Sequence, residues 1–97
     1  FGLEVEANLV GQNGHLMAEL HRQVNHPAVM LIFDAANIVM QGYSTKETYD
    51  QYLAMKPALG WMHIKDYKNP KGMKKTAHVD EDKASNFCPA DIGDGGH

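Results

Sequence analysis

A chain of 97 residues, 43% hydrophobic and 22% charged, has room for one domain and sits in the ordinary globular range, which excludes the disordered class. A net charge of −3 and a pI near 6.0 supply no basic excess for a nucleic-acid backbone. Cys88 is the only cysteine, so this chain builds neither an intrachain disulfide nor a cysteine metal cluster, and no apolar run is long enough to span a bilayer.

From these limits we expect a soluble, cytoplasmic protein in a reducing compartment, with no nucleic-acid or membrane partner. The chain opens at Phe1 without Met and runs straight into a strand-like FGLEVEA, so the expectation is that its natural start lies upstream.

Phe1 to Ala7 predicts a strand with Glu4 and Glu6 on one side. Gly11, Asn13 and Gly14 are turn chemistry and lead into a helix from about His15 to Val24. Leu16, Met17, Leu20 and Val24 recur there at helical spacing, leaving Glu19, Arg22 and Gln23 to solvent. His26-Pro27 ends the helix, because the residue before proline disfavours the α region. Ala28 to Asp34 predicts a second strand, whose unbroken apolar run VMLIF fits a parallel strand buried on both faces. Asp34 then stands at the carboxyl end, where α/β folds carry their chemistry.

Residues 35 to 43 read as a loop with room for a short helical turn. Ser44-Thr45-Lys46-Glu47 has the capping-box pattern and predicts a helix to about Met55, with Tyr49, Tyr52, Leu53 and Met55 as its apolar face. Lys56-Pro57 ends it, and Gly60 to Asp66 predicts a third strand with His63 and Lys65 on one face, Met62 and Ile64 on the other. From Tyr67 onward the lysines and acids, interrupted by Pro70, Gly72 and Pro89, read as a long surface excursion, and Ala90 to His97 is glycine-rich. The predicted fold class is α/β, a β-α-β-α-β unit with parallel strands and a long C-terminal loop.

Glu4, Asp34 and His63 are 30 and 29 residues apart, the length of a parallel crossover unit. Each falls late in its predicted strand. Parallel neighbours are about 4.8 Å apart, so three such side chains on one face converge on a single ion. Two carboxylates and an imidazole suit one divalent metal, Mn²⁺, Mg²⁺, Co²⁺ or Zn²⁺. The competing assignment makes the acids helix caps and loop anchors, and His63 a packed histidine on a backbone carbonyl. Glu6 competes with Glu4 as a ligand, since both share a face.

LEVEAN at 3 to 8, FDAANIV at 33 to 39, WMHIKD at 61 to 66 and IGDGGH at 92 to 97 resemble, in order, the later strands of sugar isomerases and epimerases with a xylose isomerase-like TIM barrel. The resemblance covers nearly the whole chain and implies a partial (β/α)8 barrel, roughly its fifth to seventh strands, with residues 1 to 97 as part of the C-terminal half of one domain. It also implies Glu4, Asp34 and His63 as metal ligands, Glu4 as a catalytic residue, and a fourth ligand on an eighth strand outside this chain. Asp94 stands where many relatives have glutamate, beside Gly93 and Gly95. Asn37 stands where ketose epimerases and related apurinic endonucleases carry histidine, and Phe87-Cys88-Pro89 replaces a further Asp and His of the endonucleases. Both departures turn the reading away from a zinc-cluster phosphodiesterase.

The implied chemistry is isomerisation or epimerisation of a sugar, sugar phosphate or polyol. Metal polarises the carbonyl and Glu4 moves a proton at the neighbouring carbon by way of an enediolate. A dehydratase shares that opening step. Asn37 and Lys65 are expected to bind substrate and Asp66 to orient a loop or a basic neighbour. His78 is expected at the surface. Trp61 and the tyrosines belong to core and rim, and His15, His21, His26 and His97 show no ligand spacing. A truncated, non-catalytic barrel segment with unpaired strand edges is the alternative, and those edges favour a homo-oligomer.

Overall fold

The apolar run before Asp34 takes the centre of a parallel sheet. In the computed structural model, which describes residues 1–68, 75–76, 79 and 86–90, β2 (Met30–Asp34) lies between β1 (Gly2–Glu4) and β3 (Leu59–His63). Both neighbours run parallel to it, with Leu3 opposite Leu31 and Asp34 opposite His63. Parallel strands need long connections, and here each contains helix. α1 (Gly14–Val24) joins β1 to β2, while α2 (Ala35–Val39) and α3 (Thr45–Met55) join β2 to β3. The result is a small mixed α/β unit. No helix among the described residues is long and apolar enough to cross a membrane.

Local chemistry sets the helix ends. Asn13 caps α1 by accepting from Leu16 N at 3.0 Å, and Asn25 closes it in the left-handed region at φ 44. The capping box forms as its pattern predicts: Ser44 Oγ accepts from Glu47 N at 3.2 Å, and Glu47 Oε2 accepts from Ser44 N at 2.8 Å. The turn expected after β2 is α2, which starts at once because Asp34 caps it.

α1 and α3 pack on each other and on β2, enclosing Val5, Met17, Leu31, Phe33, Ile38 and Met55. A second cluster gathers Ala36, Val39 and Met40 of the α2 segment around the buried Tyr67. The expected apolar face of α3 requires correction. Met55 is buried and Tyr52 half-buried, but Tyr49 and Leu53 are exposed, and the buried stripe instead runs through Thr48 and Gln51. Gln51 is inward because its Oε1 accepts from the backbone N of Gly14 at 2.7 Å, satisfying an amide at the start of α1. In α1, likewise, Met17 is buried and Leu20 half-buried, whereas Leu16 and Val24 are exposed.

All three strands are shorter than their patterns suggest, and β2 starts at Met30 where the pattern predicts Ala28. β1 stops at Glu4, although Val5 N still reaches Ile32 O at 3.3 Å, because Glu6 N turns to bond Gly11 O. β3 ends at His63, not Asp66, and its pairing slips at Gly60, where Leu31 faces Leu59 but Ile32 faces Trp61. The chain leaves the sheet to bury Tyr67. Asp66 and Tyr67 form β4 (Asp66–Tyr67), antiparallel to β5 (Phe87–Cys88), and the Tyr67 and Phe87 rings meet edge to face at 5.5 Å. Trp61, expected in core or rim, is 62% exposed, since the strand that carries it is covered on neither side along most of its length. The expectations for His78, for Gly93, Asp94 and Gly95, and for most of the surface excursion lie outside the described residues.

Candidate metal centre

The three parallel strands end at Glu4, Asp34 and His63. Sequence spacing and strand termination therefore deliver the three side chains to the same edge of the sheet. One ligand atom from each lies within 4.8 Å of the others. His63 Nδ1 donates to Glu4 Oε1 at 2.7 Å and stands 3.7 Å from Asp34 Oδ2. Metal bonds of about 2.0–2.2 Å place neighbouring ligands of one ion about 3–4 Å apart. The separations of 2.7 and 3.7 Å, with all three atoms within 4.8 Å, lie near that scale.

Asp34 holds two separate tasks on its two oxygens. Its Oδ1 accepts from Asn37 N at 3.2 Å and caps α2, which fixes the carboxylate plane. Its Oδ2 is fully buried and ion-paired with Lys65 Nζ at 2.8 Å. A buried carboxylate oxygen needs a positive partner, and Lys65 provides one here. Two carboxylates and one imidazole nitrogen form the hard and borderline donor set that divalent ions accept.

Asn37 connects the members. Its Nδ2 donates to Val5 O at 3.0 Å and to Glu4 Oε1 at 3.4 Å, while its Oδ1 accepts from Lys65 Nζ at 2.9 Å. The residue is buried, and its carboxamide is engaged by protein on both sides. Lys65 lies beyond the end of β3, yet it arrives beside Asp34 and Asn37 with its ammonium 4.1 Å from the centre of the Phe87 ring. Asp66 is buried and accepts from Tyr67 N through Oδ1 at 2.7 Å, within the short strand β4 that follows Lys65.

A cavity of about 480 Å³ opens at this edge, with Glu4, Glu6, Asn37, His63, Lys65 and Phe87 among its walls. That volume suits a small polar ligand. Asn8, in the left-handed region at φ 66, closes one side by pairing with Val79 in both directions, Nδ2 to Val79 O at 2.9 Å and Val79 N to Oδ1 at 2.7 Å. The resemblance sets Phe87-Cys88-Pro89 where related endonucleases carry an Asp and a His, whereas the Asn8–Val79 pair depends on a contact across a long separation that no local pattern marks. His21 and His26 serve backbone groups near Val29 and Ala28 and stand apart from the cluster.

Comparison of the chain with protein-family models, with curated proteins and with solved structures finds no match.

Proposed function

We propose that the chain is part of a xylose isomerase-like (β/α)8 barrel, in which Glu4, Asp34 and His63 hold one divalent ion and the whole protein isomerises or epimerises a sugar or polyol. One observation carries the proposal: three potential ligands end three consecutive parallel strands and converge within 4.8 Å. The ion would supply Lewis acidity toward a carbonyl and its adjacent hydroxyl.

The residues divide the remaining work. Glu4 is half-buried at the cavity wall, where its carboxylate can take a proton from the carbon beside the carbonyl and return it. Asn37 Nδ2 donates to Glu4 Oε1 and holds that oxygen in place. Lys65 presents positive charge at the same cavity and favours a substrate whose oxygen becomes negative during proton transfer. Asn37, with both ends of its carboxamide engaged, orients Glu4 and Lys65.

Deuterium incorporation tests the reaction. The metal-loaded whole protein, incubated in D₂O with a panel of ketoses and inososes, should place deuterium at the carbon next to the carbonyl of one of them. Glu4→Gln should lose about 10²-fold or more in that exchange. A panel that remains free of deuterium would sink the catalytic reading. The exposed apolar side chains of β3 support a second reading, a non-catalytic segment that serves assembly.

A further inference from the structure

We propose that Lys65 is the resident counter-cation of Asp34, that a divalent ion must displace it, and that Lys65 thereby sets the metal affinity of the site. The proposal rests on the metal reading of Glu4, Asp34 and His63. Asp34 is fully buried, and a carboxylate in that position needs a positive partner in the metal-free protein. Lys65 supplies it at 2.8 Å from Oδ2.

The two cations claim one atom. Oδ1 of Asp34 accepts from the amide of Asn37, and the oxygen turned to His63 is Oδ2, the same oxygen that Lys65 faces. With Lys65 in place, Glu4 and Asp34 together carry one net negative charge against the ammonium. A divalent ion added to that arrangement leaves the cluster positive and sets the ion a few ångströms from Nζ, where repulsion is strong in a partly buried setting.

Lys65 is built to yield. Its side chain is one-third exposed, and besides Asp34 it has Asn37 Oδ1 at 2.9 Å and the Phe87 ring face at 4.1 Å. These two contacts leave the ammonium a place at the cavity wall after it gives up Oδ2. Asn37 and Phe87 therefore hold the displaced cation, and Asp34 passes from an ion pair to a metal ligand without a change in its cap on α2.

Calorimetric titration of the full chain with MnCl₂ tests this, with thermal melting of each protein in the absence and presence of Mn²⁺. Lys65→Met should bind Mn²⁺ about tenfold tighter than wild type or better, because the competing charge is gone. Its metal-free melting temperature should fall, and Mn²⁺ should raise it by more than in wild type. If Lys65→Met does not fold without metal, Lys65→Gln keeps a donor toward Asp34 and Asn37, and the same tightening is expected of it. Equal or weaker Mn²⁺ affinity in the folded variant, with wild type binding normally, overturns the role of Lys65 and leaves the metal reading standing. Failure of wild type and variant alike to bind Mn²⁺ overturns both.

Discussion

Asn37 uses its carboxamide inside the protein, bonding Val5 O, Glu4 Oε1 and Lys65 Nζ. Asn37→Ala should cost about 1–3 kcal/mol in urea denaturation, since buried Val5 O and the ammonium of Lys65 each lose a partner. Its position in the sequence showed an amide near Asp34, but only the fold shows that the amide faces β1 and the segment after β3. A second residue carries a pH signature. Lys75 beside Glu47, with the Ser44 amide, holds the Glu47 carboxyl down at about 2, against an ordinary value of 4.5. A depressed carboxylate contributes stability that is complete above its unfolded value and is lost as pH falls toward the folded one. Glu47→Gln should therefore narrow the drop in stability between pH 5 and pH 2 relative to wild type. Parallel pH profiles for the two proteins would contradict this.

At the scale of elements, strands and helices were legible where periodicity, caps and breakers agree, as at Ser44–Glu47 and at the run before Asp34. The α3 face was not, because hydrophobic periodicity has no term for a glutamine that turns inward to satisfy a helix start. Gly14 makes that contact close: a Cβ placed there would lie 2.6 Å from Gln51 Cβ and 2.8 Å from its carbonyl oxygen. Gly14→Ala should thus separate α1 from α3 and destabilise the protein by about 1–3 kcal/mol, read from chemical denaturation. No change in the midpoint would show that the helices repack without cost. β3 stops at His63, short of the Asp66 that its pattern predicts, for a similar reason. The pull of Tyr67 toward Ala36, Val39 and Met40 is a tertiary effect that strand alternation does not encode.

At the scale of the whole molecule, the parallel sheet buries its centre and leaves β3 and Ile64 just after it open. Trp61 is 62% and Ile64 74% exposed, and an apolar cavity of about 390 Å³ lies between β3 and α3, with Phe33, Tyr52 and Met62 on its walls. Exposed apolar strand surface promotes association. Sedimentation at rising concentration should show self-association of wild type that Ile64→Lys weakens, and a wild type that stays monomeric throughout would contradict it. The same sheet brings the candidate ligands together, and this part was readable in advance, because a parallel crossover converts a spacing of about 30 residues into adjacency at one edge. Lys65, Asn37 and Phe87 complete the site by contacts that spacing does not specify.

Mn²⁺ binding read by electron paramagnetic resonance tests the centre most directly, using Asp34→Asn, which retains an oxygen to cap α2, and His63→Ala. Wild type should bind a single Mn²⁺ with coupling to a histidine nitrogen. His63→Ala should lose that coupling, and Asp34→Asn should weaken binding by about 100-fold or more. Unchanged affinity in both variants, with the nitrogen coupling intact in His63→Ala, would contradict the assignment of Glu4, Asp34 and His63 as a metal site.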